Sequence, residues 1–514
     1  MKNDSRTSNS IKNIIIGIIS QLITLLMLFI SRSIFLDKLG VEYLGLHSFF
    51  TNVITVLSMA ELGITNIFLY SLYRPLKDAN YVLISSLMKY FNKVFKLIAS
   101  IILLLGVCCI PFLHYFIQTE IDIVTVIIYY LLFLLNTISS YFVVHKITLI
   151  NADQKFYVVK LVTTCILIGK ELIQILLLVL TSNYILYLLI LLLSTIVTNL
   201  VLNLIANKLY PYLKNKEYVP INKTEIKKQI HSIFLYKFGV VLFNNTDYII
   251  ISSLLGVIMV GYYSNYSLII GAVITLMSIF IQSIIASVGN LNANDEIKRS
   301  YQTFNFLLFT FHLITAWCSI CLYVALDNFI IIWIGQEYIL DIKIVLLIIA
   351  NFYLQNIINP VWMYRETMGL FNEIKYVMLL ASVVNILLSI VFGFIMGLFG
   401  ILFATLIARI VTTVWYEPRM LYRKKFGKSS KVYWSKQLRY FSVSVLSLLI
   451  VSILTNALSE SFFSMVIKLI VSTTVVLILF TLFFNKSPEF KQLMNILLSF
   501  VSVIKMKMSK GGNS

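Results

Sequence analysis

Residues Ile11 to Tyr73 read IKNIIIGIISQLITLLMLFISRSIFLDKLGVEYLGLHSFFTNVITVLSMAELGITNIFLYSLY. The stretch predicts two long apolar helices. Between them lies one short, glycine-marked bend, Leu39-Gly40-Val41-Glu42-Tyr43-Leu44-Gly45. The first helix carries Arg32 near one end; the second carries Glu61 and a line of hydroxyl and amide side chains. A segment this apolar belongs in a bilayer. A strong charge and a polar stripe inside it need a wet or protein-lined place to face.

The rest of the chain has the same character. Of 514 residues, 59% are hydrophobic and 12% charged, and the mean hydropathy is +0.91. Soluble domains carry about 25% charged residues. Apolar runs of roughly 20 residues, the length that crosses ~30 Å of hydrocarbon, recur from end to end. The fold class is therefore an all-α membrane protein. Membrane β-strands would show shorter segments of alternating polarity. The first run is too long for a signal peptide and lacks a small-residue cleavage site.

Hydropathy predicts about fourteen spans, near 11–35, 45–72, 94–117, 122–145, 157–181, 184–206, 232–254, 258–287, 302–326, 343–364, 374–396, 398–418, 438–457 and 463–484. The net charge of +19 concentrates between alternate spans, so it reads as topology rather than nucleic-acid binding. Lysines and arginines follow the second, fourth, sixth, eighth and twelfth spans and mark both termini, which places those segments in the cytoplasm. The opposite connections are short and acidic, with Glu120, Asp122, Asp327, Glu337, Asp341 and Glu460.

The longest interior break divides two six-helix lobes. The predicted organisation is an N-terminal lobe over 1–207, a linker over 208–230, a C-terminal lobe over 231–422, and two further spans with a basic amphipathic tail over 423–514. The lobes echo each other: Leu39-Gly40 with Gly45 and Ser48 matches Leu255-Gly256 with Gly261 and Ser264 at one constant offset. An even number of spans per half implies parallel repeats.

No enzyme motif is present. There is no phosphate-cradling Gly-Lys-Ser/Thr loop and no nucleophile elbow. The five cysteines and five histidines show no metal-ligand spacing, so no cofactor, metal or catalytic residue is assigned. What remains is polarity inside the spans. Helical spacing puts Gln21 and Arg32 on one face of the first span, and Ser48, Asn52, Thr55 and Asn66 on one face of the second. In the seventh, Lys237 and Asn244 align, with Asp247 about one turn on. In the eighth, Ser264, Ser267, Gly271, Thr275, Ser278 and Gln282 form a stripe.

Hydroxyl stripes are also common helix–helix contacts. Arg32 and Lys237 are the stronger candidates for function, because a lysine deep in a span costs about 2.5–3.5 kcal/mol on insertion scales. Glu61 points away from its own helix's stripe and reads as accepting hydrogen bonds from a neighbouring helix. Lys170 and Glu171 are adjacent, so the spacing predicts that they do not face each other. Asp247, Glu61, Lys170 and Glu171 are the candidates for coupling to H+ or Na+; structural pairing stands as the alternative. Pro360 predicts a kink in the tenth span.

Arg32, the Leu39-Gly40…Tyr43-Leu44-Gly45 bend and Glu61-Leu62-Gly63-Ile64 resemble the start of Wzx-type polysaccharide flippases. Asn245-Thr246-Asp247, Leu255-Gly256 and Gly261-Tyr262-Tyr263-Ser264-Asn265-Tyr266 extend the likeness, as do Trp333-Ile334-Gly335 and Gly400-Ile401 with Ala404-Thr405. These flippases belong to the polysaccharide transporter branch of the MOP superfamily, with MATE exporters and MurJ-like lipid II flippases.

The resemblance implies a plasma-membrane flippase for undecaprenyl-diphosphate-linked sugar repeat units in capsule or exopolysaccharide synthesis. Membrane lipid and the polysaccharide polymerase and export machinery would be its partners. Arg32 and Lys237 would then meet the diphosphate. Gln21, Asn52, Thr55, Asn244, Thr275, Ser278 and Gln282 would solvate sugar. A MATE-like drug/ion antiporter, kept in play by Asp247, and a MurJ-like lipid II flippase are the competing transport readings. A membrane polymerase or ligase is the competing enzyme reading, and the outer connections are short for it.

Overall fold

Long unbroken hydropathy and the near absence of interior proline make helices that run the thickness of a bilayer. The computed structural model describes residues 6–61, 63–214, 219–220, 223–293 and 297–511. In chain order the helices are α1 Arg6–Leu57, α2 Ile64–Lys77, α3 Tyr81–Cys109, α4 Leu113–Phe116, α5 Ile123–Ser140 and α6 Val144–Ala152. Then come α7 Phe156–Thr181, α8 Tyr184–Leu209, α9 Lys223–Leu255, α10 Val257–Ala293, α11 Ile297–Trp333 and α12 Ile342–Ile357. The last are α13 Asn359–Thr367, α14 Lys375–Arg409, α15 Trp415–Leu421, α16 Lys431–Thr455, α17 Phe462–Phe484 and α18 Pro488–Gly511.

Among the described residues, 12 helical runs are long and apolar enough to cross a membrane. Two of them are long enough to cross twice: Ile15–Leu57, of 43 residues, and Lys375–Phe426, of 52. Each breaks at a glycine with positive φ, Gly40 (φ 83°) and Gly397 (φ 60°). Counted as pairs, they account for the fourteen predicted spans.

One local expectation holds: the tenth span breaks where Pro360 stands, α12 ending at Ile357 and α13 starting at Asn359. Other points differ. The second span is not continuous: a 3₁₀ turn at Ser58–Glu61 and a left-handed Gly63 (φ 87°) separate α1 from α2. The stretch 208–230 lies partly outside the described residues, and from Lys223 it is already helix. The tail lysines Lys505, Lys507 and Lys510 have side chains outside the described set.

Packing groups the chain into two compact units that do not follow chain order. One is Met1–Asn265 with Met378–Ile401, the other Tyr266–Val377 with Leu402–Ser514. In the first unit, the two glycine bends take the same backbone turn, Gly40 at φ 83° and Gly256 at φ 85°. They also pack on each other, Gly45 against Val257 and Gly261 against Val41. The connection between α4 and α5 ties both bends down. Glu42 Oε1 accepts from Thr119 Oγ1 at 2.6 Å and Glu120 N at 3.0 Å. Val257 N donates to the Gln118 carbonyl at 3.1 Å, and Gln118 Nε2 to the Ser253 carbonyl at 2.6 Å. So three connections that charge bias assigns to one side do meet at one end of this unit.

The opposite end of the unit gathers the basic connections. Asn13 bridges Gln154 and Tyr157. Tyr210 donates to Asp153, and Ser85 to the Tyr212 carbonyl. In the second unit the same sorting recurs. Asn292 bonds Thr367 and Ser300 at one end. Tyr266 bonds Asp327 and Leu340 N at the other, where Lys468 meets Asn328. The second unit also buries an ion pair, Arg365 Nη1 to Glu417 Oε2 at 2.8 Å. Both residues are at most 5% exposed. Glu417 sits in α15, between two π-helical turns, Ile410–Val414 and Tyr422–Phe426.

Candidate functional site

The site begins with Arg32, about two turns before the Gly40 bend on α1. Its guanidinium crosses to the start of α10, where Nη1 donates to Ser264 Oγ at 3.0 Å and Asn265 Oδ1 at 3.4 Å. Arg32 therefore joins the first repeat to the helix that follows the second bend. It also lines a cavity of about 70 Å³ with Phe35, His47, Glu171 and Tyr187. At ~30 Å³ per water, that is room for an ion or two waters and not for a sugar.

The cavity wall is charged and aromatic. Glu171 is 3% exposed and its Oε1 meets Lys170 Nζ at 2.7 Å. This corrects the expectation that the two adjacent residues do not face each other. The i,i+1 rule describes where Cβ atoms point, and a four-carbon lysine stem is long enough to curl back. Glu171 Oε2 has no hydrogen-bond partner among the described atoms. Around the cavity the charges are two cations, Arg32 and Lys170, and one carboxylate. His47 Nδ1 lies 3.2 Å from Tyr184 Oη. Its ring stands edge-on to Phe133, Phe35 and Tyr187, with centroids 5.0–5.9 Å apart. Tyr43 packs into the same group against Tyr184 and Tyr129.

The other sequence candidates are distributed differently. Gln21 is half-buried on α1, about three turns before Arg32. Asn52 and Thr55 bond back to their own helix, Asn52 Nδ2 to the Ser48 carbonyl and Thr55 Oγ1 to that of Thr51. Thr275 and Ser278 do the same on α10; with the exposed Gln282 they belong to the second unit. Lys237 is half-buried on α9, and Asn244 is exposed; neither lines the Arg32 cavity. Asp247, though only a turn from Asn244, is buried and accepts from Asn385 Nδ2 of α14 at 3.1 Å. Glu61 accepts from Thr65 Oγ1 at 2.9 Å and is within reach of the Tyr141 hydroxyl.

Sequence reasoning assigned Arg32 and Glu171 separately and left out His47 and Tyr187. His47 follows the bend, so no spacing within one helix could bring it to Arg32. The Arg365–Glu417 pair was also missed, because both residues stand at span ends, where charges read as topology. Among the described residues no group of histidine, cysteine or carboxylate side chains could hold a metal ion.

No protein-family model matches the chain, and no curated protein does. Solved structures do. Lipid II flippase MurJ, in an inward closed conformation, aligns over 92% of this chain and 98% of its own, with a TM-score of 0.63 and 18% identity. An inward-facing multidrug resistance MATE family transporter of the MOP superfamily aligns over 77% and 93%, with a TM-score of 0.54 and 13% identity. The Vibrio cholerae MATE transporter VcmN, in its bent form, aligns over 82% and 98%, with a TM-score of 0.53 and 15% identity. At such identities the likeness is one of fold: the chain is a multi-pass helical membrane protein built on the fold of the MOP superfamily's flippases and transporters.

Proposed function

We propose that the protein is a flippase that carries undecaprenyl-diphosphate-linked oligosaccharide repeat units across the plasma membrane by alternating access. The observation that carries this reading is Arg32. It is a permanent cation inside a span, held at the junction of the two repeats, on the wall of a cavity whose carboxylate, Glu171, is already paired with Lys170. A cargo with an anionic diphosphate is matched by that charge. Arg32 is suited to the role because its fork can exchange Ser264 and Asn265 for phosphate oxygens. Such an exchange trades one set of hydrogen bonds for another, so opening the site leaves no buried donor unpaired.

Asp247, which favours a cationic cargo in the antiporter reading, is engaged by Asn385 and does not line the Arg32 cavity. The charge bias puts both termini in the cytoplasm. The matched bends at Gly40 and Gly256 support a duplicated pair of lobes, 1–207 and 231–422, as the elements that alternate. H+ or Na+ coupling through Glu171 belongs to the same proposal.

A lipid II flippase is the second reading, favoured by the MurJ likeness over nearly the whole of both chains. One experiment separates them. The protein is reconstituted in vesicles with either undecaprenyl-diphosphate oligosaccharide or lipid II in the inner leaflet, and the appearance of glycan outside is followed with a lectin or a membrane-impermeant label. Faster flipping of the oligosaccharide, lost in Arg32→Ala, supports the first reading. Flipping of lipid II alone supports the second. Flipping of neither, in protein that is folded by thermal melt, overturns both.

A further inference from the structure

The last span is followed at once by another helix. α17 ends at Phe484, and after Asn485-Lys486-Ser487 the chain enters α18 at Pro488. That start is well specified. Proline stands at the first helical position, and Ser487 Oγ accepts from Phe490 N at 3.2 Å. The first turns are clamped to the second unit. Glu489 is buried and pairs with Lys436 Nζ of α16 at 2.6 Å. The Phe490 ring centroid lies 6.3 Å from that of Phe309 on α11, and Leu493 packs on the same buried cluster.

Phe490, Leu493, Met494 and Leu497 fall at i, i+3, i+4 and i+7, one stripe of the helix. The first half of the stripe meets the bundle. The second half does not: Met494 is 38% exposed and Leu497 50%, and the flanking Ile496 and Leu498 are exposed too. Lys491, Gln492 and Asn495, at i, i+1 and i+4, make the opposite face, and all three are exposed. The charge is one-sided. From Phe490 to Ser514 the sequence has four lysines, Lys491, Lys505, Lys507 and Lys510, and no aspartate or glutamate. Glu489, just before them, is already paired with Lys436.

Two observations choose the occupant. α18 begins three residues beyond the end of a span, at the level where hydrocarbon gives way to headgroups. An apolar stripe on a segment with lysines and no carboxylate complements a surface of acyl chain and phosphate, and repels a second copy of itself. We propose that α18, from Met494 on, docks on the anionic headgroup layer of the membrane that its own spans cross, with Met494 and Leu497 toward the acyl boundary. The surface shares no residue with the Arg32 cavity and stands whichever cargo the protein moves. Glu489 and Phe490 fasten the same helix to α16 and α11, so lipid that holds α18 also steadies that end of the second unit.

The test uses the full chain, its five cysteines replaced by alanine, in nanodiscs of phosphatidylcholine alone or mixed with phosphatidylglycerol. A spin label is attached through Leu497→Cys on the stripe or Asn495→Cys on the polar face. Its access to oxygen and to a water-soluble nickel chelate is measured. In mixed discs the Leu497 label should favour oxygen and the Asn495 label nickel. In phosphatidylcholine alone the Leu497 label should lose most of that preference. Replacing the four lysines with glutamine should cause the same loss in mixed discs. Met494→Cys serves if Leu497→Cys fails to fold, as judged by size-exclusion profile and melt. Hydrogen exchange of the wild-type chain over 490–500, which needs no substitution, should be slower in mixed discs. Equal nickel access at both positions, with exchange independent of lipid, overturns the proposal and leaves α18 in water. An oxygen preference that is the same in both lipids overturns the anionic partner. Dipolar coupling between labels on two chains in one disc overturns it in favour of a second copy.

Discussion

Gly45 and Gly261 meet backbone to backbone. A Cβ on Gly45 would stand 1.8 Å from the Val257 carbonyl oxygen and 3.2 Å from Gly261 N. One on Gly261 would stand 2.4 Å from the Val41 oxygen and 3.3 Å from Gly45 N. Each glycine reserves space for the residue just after the other repeat's bend. Gly45→Ala and Gly261→Ala are expected to cost at least the ~1–3 kcal/mol of an overpacked core, because the obstructing atoms are backbone. Gly17→Ala and Gly169→Ala, with nothing within 4 Å, should melt at or slightly above the wild-type temperature. Thermal melts in detergent decide this; an equal loss in all four would mean that the contact is not the cause.

Arg32→Ala should abolish glycan flipping while leaving protein level and melt close to wild type. Arg32→Lys should retain partial flipping, since a lysine keeps the charge but lacks the fork that spans Ser264 and Asn265. Equal activity in the two variants would remove the geometric part of the role, and wild-type activity in both would remove the charge.

Glu171→Gln separates coupling from structure. If the carboxylate carries H+ or Na+, the variant should lose the response of flipping to an imposed gradient yet keep flipping down a cargo gradient. A structural role predicts lower stability with the ion response intact. Lys170→Met in the same assay should leave Glu171 as an unpaired buried charge, at a cost of about 3–5 kcal/mol in melt-derived stability.

Asp247→Asn should leave flipping and drug susceptibility within about twofold of wild type, because an amide can still bond Asn385. A drug-sensitive phenotype on this substitution in a susceptibility panel would revive the antiporter reading.

What the sequence could show here depended on the range of each signal. Spans are legible because hydropathy sums over about 20 residues. Gly40, Gly256 and Pro360 are legible because a backbone break needs a particular residue type. The interruption at Ser58–Gly63 is one turn long, and an average over a whole span passes over it. Arg32 stood out as a charge within an apolar run. Its neighbours did not: Glu171 lies far along the chain, His47 beyond a bend, and Ser264 and Asn265 in the other repeat. Side-chain reach defeated the spacing rule for Lys170 and Glu171, since the rule knows Cβ directions and not stem lengths.

Arg365 and Glu417 stand 52 positions apart, and a ribosome makes the arginine first. While it waits, Arg365 lacks the Glu417 carboxylate at the end of an apolar segment, where membrane insertion penalises a cation by roughly 2.5–3.5 kcal/mol at a span's centre and less toward its end. The ion pair with Glu417 forms only after the segment carrying Glu417 has been synthesised and laid beside it. Early in biogenesis the tenth span is therefore poorly settled, and the chain's later segment completes it. A nascent protein truncated between these two residues should be the form that quality-control proteases remove.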